Sequence, residues 1–185
     1  VKKGSAEGNP IAANGQPIWR IDQLWPDNPI MADAYRPMPW SGTEWKATQH
    51  EHGGQPAARV ENGSFRAAVR GPWTGNPGQK TCALIFIAPQ VGLYVASGVA
   101  KSAPWEGGAK TFKLGIFKKD TQRAAPLQTL ELPRDGSPVP FEVKVELTAG
   151  HELVFLPLMS DWHNAPTTRM DALVRRGTPG QRRSP

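Results

Sequence analysis

"VPFEVKVELTAGHELVFLPLM", residues 139–159, decides the fold class. Its first half alternates strictly, with Phe141, Val143, Val145 and Leu147 on one side of the pleat and Glu142, Lys144 and Glu146 on the other. A period of two sends successive side chains to opposite faces, so the pattern predicts a strand with one buried and one wetted face. "TAG" then turns the chain, with Gly150 supplying turn backbone, and "HELVFLPLM" (151–159) returns as a second strand.

The same reading extends outward in both directions. "KTFKLGIFKKD" (110–120) sets Phe112, Leu114 and Ile116 on one face, with Lys113 and Lys118 among the others. "APLQTLEL" (125–132) runs to the turn "PRDGSP", and "TRMDALVR" (168–175) is a further strand. Upstream, "GLYVASGVAKS" (92–102) alternates, while "TCALIFIAP" (81–89) is a continuous apolar run that Pro89 stops. "ARVENGSFRAAV" reads as two short strands about Asn62-Gly63, a strong signal for a two-residue hairpin turn. Nineteen glycines and nineteen prolines among 185 residues punctuate the chain too often for helices of ordinary length. The expectation is an all-β protein, an antiparallel sandwich or jelly roll of about eight strands with a long irregular N-terminal arm.

Four segments follow. Residues 1–17 read as a flexible tail or linker, and residues 18–56, with four of the seven tryptophans, as a Trp-rich arm or loop system. Residues 57–176 form the sandwich, and 177–185 a basic tail. An irregular segment as long as 18–56 is more often functional than a short loop is.

Two stretches of the framework resemble a known group. "FIAPQVGLYVASGVA" (86–100) joins two strands through an Ala-Pro stop and a Gly turn, and "VKVELTAGHELVFLP" (143–157) joins two more through "TAG". The pairing, over residues 57–175, is similar to β-jelly-roll domains. Those include the accessory carbohydrate-binding modules of bacterial polysaccharide-degrading enzymes and, more distantly, tumour-necrosis-factor-like jelly rolls. The resemblance implies a non-catalytic binding or assembly domain and transfers no ligand-binding residue, since such families place their sites in variable loops.

Charge and cysteine content narrow the partners. The formal net charge is +6, but "VKK" at one end and "RRGTPGQRR" at the other hold much of the excess. No zinc-finger spacing, basic amphipathic helix or aromatic ribonucleoprotein motif is present, so no nucleic-acid partner is expected. No apolar stretch approaches the roughly 20 residues that span a bilayer, so membrane insertion is not expected either. Cys82, the single cysteine, sits in the apolar run and reads as a buried, inert thiol. Val1 follows no leader, which suggests a processed product or an excised domain.

The chemistry-bearing residues concentrate in "MPWSGTEWKATQHEHGGQP" (38–56) and in three loops. His50 and His52 would share one face of an extended strand and, joined by His163, could hold a metal. Loop hydrogen bonding is the simpler role, because a structural zinc wants four ligands. No cofactor is therefore expected, with structural calcium or zinc left open. Nucleophile elbows and paired carboxylates are missing, so catalysis is not expected.

Tryptophan is the better lead. Trp40, Trp45, Trp73, Trp105 and Trp162 each lie beside Gly, Asn, Asp, Glu or His, as a sugar-stacking platform with hydroxyl partners requires. The competing role is a secondary core over an open end of the sandwich. His50, Gln55 and Asn164 would bind hydroxyls, and Arg70 and Arg59 would add charge-assisted contacts to an acidic glycan. Taken together, the residues point to an extracytoplasmic accessory domain, secreted or at a bacterial cell surface, that binds polysaccharide through a Trp-rich surface. The alternative is a structural subunit of a surface fibre or jelly-roll oligomer that self-associates through its arm.

Overall fold

A computed structural model describes residues 11–13, 15, 17–24, 30–46, 57–61, 64–68, 81–103, 112–159 and 167–177. These residues hold twelve strands. They are β1 (Trp19–Leu24), β2 (Tyr35–Pro37), β3 (Trp45–Lys46), β4 (Ala57–Glu61), β5 (Ser64–Ala68) and β6 (Cys82–Ile87), then β7 (Gly92–Ser102), β8 (Phe112–Lys119), β9 (Ala124–Leu132), β10 (Val139–Leu147), β11 (Glu152–Met159) and β12 (Thr167–Arg176). One sheet runs β2-β1-β6-β11-β8-β9 and the other β10-β7-β12-β5-β4-β3, with every neighbouring pair antiparallel.

From β5 onward the chain changes sheet at every connection except the β8–β9 hairpin. That alternation builds one core between the two inner faces. Phe141, Val143, Val145 and Leu147 of β10 face Phe112, Leu114, Ile116, Leu153 and Phe155 of the first sheet. Glu142, Lys144 and Glu146 stand in water on the opposite face, as their spacing requires.

The sandwich is as expected, but it holds twelve strands rather than about eight, and part of the expected arm belongs to it. Residues 18–56 supply β1 and β2 to the first sheet and β3 to the second. Two causes hid them. β2 and β3 are three and two residues long, too short to show a period. β1, "WRIDQL", places Arg20 and Asp22 at positions that apolar residues would normally mark.

The two stretches that carry the jelly-roll resemblance meet at one end of the sandwich. Ala88 donates its N–H to His151 O at 2.9 Å and accepts from Gly150 N at 2.9 Å, so the Ala-Pro turn and the "TAG" turn are zipped together. Gly150 has φ +83, a conformation that an L side chain rarely adopts. The Tyr94 hydroxyl donates to Gln90 O at 2.7 Å and ties strand β7 to the turn that precedes it.

Proline guards the margins. Pro37 is on β2, Pro126 on β9 and Pro140 on β10, three of the four strands at sheet edges, where a missing N–H removes no ladder bond. Cys82 is fully buried, and burial pushes its thiol well above the usual range. No described helix is long and apolar enough to cross a membrane.

Candidate functional site

The outer faces of the two sheets differ, and that difference locates the site. In the first sheet β6 and β11 are apolar on both sides, the pattern of strands covered on both faces. Their second side packs into a second core of Leu24, Ala34, Tyr35, Ile85, Phe117, Val154 and Leu156, among others. Residues 30–35 supply the cover. Ile30 O accepts from Ala124 N at 2.8 Å, and Met31 bridges to Arg123 beside the β9 edge. The chain then turns through Ala32–Ala34 to enter β2 at the opposite edge.

Beside this cover lies a buried ion network. Arg20 grips Asp22 through both carboxylate oxygens, at 2.7 and 2.8 Å, and also reaches Glu152 at 3.0 Å. Lys119 Nζ closes the other side of Glu152 at 2.7 Å and lies 5.5 Å from the centroid of the Tyr35 ring. The cross-strand register accounts for the last pair, because Glu152 and Lys119 stand directly opposite on β11 and β8.

Burial pushes the Asp22 carboxyl above its ordinary range, although the Arg20 hydrogen bonds offset part of that rise. Asp120 behaves oppositely. The backbone N–H groups of Arg123 and Gln122 hold its carboxyl below the usual value. A raised folded value means that stability falls as pH rises through it, whereas a lowered value means that stability is lost as pH falls through it. The stability difference between wild type and Asp22→Asn should therefore shrink as pH rises from about 3 to 7. For Asp120→Asn it should grow over the same window. Urea denaturation at each pH reads both slopes, and parallel slopes would contradict the two environments.

The outer face of the second sheet has no second core among the described residues and carries polar and charged positions. Arg59, Lys101, Arg169 and Asp171 are exposed there, with Arg66, Ser64, Ser97 and Thr167 half-buried. The strand registers align four of these residues. Arg59 stands opposite Arg66, Arg66 opposite Arg169, and Arg169 opposite Lys101, so four cations form one row across β4, β5, β12 and β7. Beside the row, Ser64 donates a hydrogen bond to Asp171. Val99, 38% exposed, and Leu173, 61% exposed, add apolar surface to the same face.

The tryptophans divide. Trp45 was expected to bind ligand, but it is only 9% exposed and belongs to the main core, so its ring presents no open face. Trp40 is half-buried against that core, with its ring centroid 4.6 Å from that of Trp45. The turn between them is held by Ser41 Oγ, which donates to Glu44 O at 2.7 Å and accepts from Glu44 N at 3.2 Å.

Trp19 is half-buried and meets Phe86 edge-on at 5.3 Å. It also walls a cleft of about 220 Å³ with Val60, Phe65, Leu84, Met170 and Val174. The side chains that line it are apolar apart from the Trp19 indole N–H. Trp73, Trp105, Trp162, His50, His52, His163, Gln55, Arg70 and Asn164 lie outside the described residues. Among the described residues no three His, Cys, Asp or Glu side chains gather as a metal site.

Sequence reasoning named Arg59 but not Arg66, Arg169 or Lys101. Half of the row was legible. Arg59 and Arg66 are cross-strand partners on β4 and β5, as the hairpin signal of Asn62-Gly63 in the sequence leads one to expect. The other half depends on non-local registers that no turn dictates.

No protein-family model and no curated protein matches the chain. Solved structures to which the chain is similar include a CBM4 carbohydrate-binding module, 14% identical over 65% of this chain and 75% of that one, with a TM-score of 0.43. Another is the TmCBM61 module in complex with β-1,4-galactotriose, 11% identical over 96% and 97%, TM-score 0.41. A third is the CBM22-1 xylan-binding domain from Paenibacillus barcinonensis, 12% identical over 72% and 80%, TM-score 0.40. In fold the chain resembles these carbohydrate-binding modules.

Proposed function

We propose that the chain is a non-catalytic polysaccharide-binding domain that docks its ligand on the outer face of the second sheet. The observation that carries this reading is the asymmetry of the two outer faces. One is partly covered by a second core and residues 30–35, while the other presents an array of donors and acceptors with no such core among the described residues. A linear glycan is itself a ribbon of hydroxyl groups with apolar C–H patches. Arg and Lys donors, the Ser and Thr hydroxyls, the Asp171 carboxylate and the small apolar surface of Val99 and Leu173 match both parts of it.

The tryptophan route is kept as part of this proposal. Trp40, with part of its ring exposed, is a candidate stacking surface, and Trp73, Trp105 and Trp162 extend it if their loops lie on the same side. An extracytoplasmic setting is part of the same reading, since that is where polysaccharide is met.

Affinity electrophoresis against a panel of soluble neutral and acidic polysaccharides tests the function. At least one polymer should retard the protein, and free polymer in solution should relieve the retardation. No retardation by any member of a broad panel would contradict the proposal. Light scattering run alongside separates ligand binding from self-association, which would show as mass growing with protein concentration.

A further inference from the structure

We infer that the second half of β12 is an open sheet edge that takes an extended peptide from a partner protein as an added strand. A large apolar side chain of that peptide sits in the cleft beside Trp19. Nothing in this depends on polysaccharide binding, which concerns the outer face of the sheet.

The second sheet is stepped along β12. β7 pairs with it from Thr168 to Arg176, whereas β5 pairs only with Thr167–Met170. Ala172–Arg176 therefore have a strand on one side and, among the described residues, none on the other. The ladder shows which groups are left over. Gly177 donates its N–H to Leu93 O at 2.8 Å, and Thr167 O accepts from Ala103 N at 2.8 Å, so the odd-numbered residues bond to β7. The N–H and C=O groups of Ala172, Val174 and Arg176 then point to the open side.

The cleft lies along that edge. Ala172, Leu173 and Val174 line it in succession. Consecutive strand residues face opposite ways, so a cavity that touches all three follows the edge rather than either face. Ala172 and Val174 pack against the main core, and Val60, Phe65, Leu84 and Met170 close the cleft on its inner side. It occupies the place where inward side chains of a longer β5 would sit. Apolar cavities of roughly 150 Å³ hold a benzene ring. A volume of about 220 Å³ takes a phenylalanine-sized side chain.

The chemistry of the edge selects the occupant. An open ladder recognises an extended backbone, and a pocket beside it recognises alternate side chains, which are the two parts of strand addition. Arg175 is exposed on the outward side and favours an acidic residue opposite it. The ends of this chain do not fit, since residues 1–10 and 178–185 hold one large apolar residue, Val1. A second copy fits poorly, because a ladder between two β12 edges gathers Arg175 and Arg176 of both copies within a few residues. The partner segment thus carries apolar residues opposite Ala172 and Val174 and an acidic one opposite Arg175.

Amide hydrogen exchange of the whole chain, followed by NMR, is the first test. In the free protein Ala172, Val174 and Arg176 should exchange about tenfold or more faster than Leu173 and Arg175. Equal protection would mean that the edge is already covered and would overturn the inference.

The second test is fluorescence anisotropy with an array of labelled hexapeptides. Their two inward positions vary over Phe, Trp, Leu, Ile and Val, and the position opposite Arg175 is Glu or Lys. At least one member should bind with Kd below about 1 mM, more tightly with Glu than with Lys, and should slow exchange at Ala172, Val174 and Arg176. N-methylation of its two inward residues keeps the side chains but removes the ladder donors, and should weaken binding about tenfold or more. Val174→Pro removes a donor that makes no bond to β7 and should abolish binding, with its melting temperature reporting on the fold. The N-methylated peptides need no variant.

Equal binding of N-methylated and parent peptides would show capture of a side chain alone and overturn strand addition. Silence across the array would overturn it too. Protection of the same amides without peptide, rising with protein concentration, would replace the partner with a second copy.

Discussion

Glu152→Ala should lower the stability of the domain by about 3–5 kcal/mol, a fall in melting temperature of roughly 10 °C for a chain of this size. The carboxylate joins two cations on the covered face of the first sheet, accepting from Arg20 at 3.0 Å and from Lys119 at 2.7 Å. Arg20 keeps Asp22 when Glu152 is lost, but Lys119 keeps only the edge of its environment. Its side chain is 10% exposed, and what remains to it is the Tyr35 ring and, without a hydrogen bond, the charge of Asp22. A buried ammonium stripped of its hydrogen-bonded counter-charge is what makes breaking such a pair expensive.

Replacing the whole pair is a different matter. Glu152→Met together with Lys119→Met removes both charges and fills the space with apolar atoms beside Phe117 and Val154, so most of the loss should be recovered. Urea denaturation of the single and double variants measures the coupling. A single-variant loss below about 1 kcal/mol would mean that the pair is solvated as an exposed one is, and that residues 30–35 do not seal this face.

Phe155→Ala is expected to be equally damaging for an unrelated reason. Phe155 is fully buried at the middle of β11, between Leu84 of β6 and Ile116 of β8, and its ring lies 5.9 Å from that of Phe141 in the facing sheet. Truncation leaves a void that neighbours on three sides cannot fill, because their backbones are fixed by sheet ladders. A loss of about 3–5 kcal/mol follows, against about 1 kcal/mol for the volume-preserving Phe155→Leu. Equilibrium denaturation distinguishes them. Similar losses for both would show that the two inner faces pack loosely at this point.

These two sites show how the fold was written into the sequence and where the writing was obscure. Phe155 belongs to a strand that could be read, because the turn after "VPFEVKVEL" marks where the apolar run of β11 begins. Glu152 and Lys119 are polar residues at the ends of strands, with nothing in their spacing to mark them as buried. Their burial depends on a cover supplied by residues 30–35, which join the sheet through segments too short to show any period.

The candidate site divides in the same manner. Arg59 and Arg66 pair on β4 and β5, as the Asn62-Gly63 hairpin signal leads one to expect. Arg169 and Lys101 join them only because β12 lies between β5 and β7, an adjacency set by the packing of the whole sandwich. The tryptophan lead was also half legible. Loop position alone does not separate a ring that faces solvent, in part, at Trp40 from one that completes the core at Trp45.

The most direct test of the central claim is amide hydrogen exchange with and without a polysaccharide that retards the protein. Protection should grow in β4, β5, β12 and β7, centred on Arg59, Arg66, Arg169 and Lys101, while β1, β6 and β11 stay unchanged. Protection that appears instead at the Trp19 cleft or the Trp40 turn, with the row untouched, would place the ligand elsewhere and contradict the account.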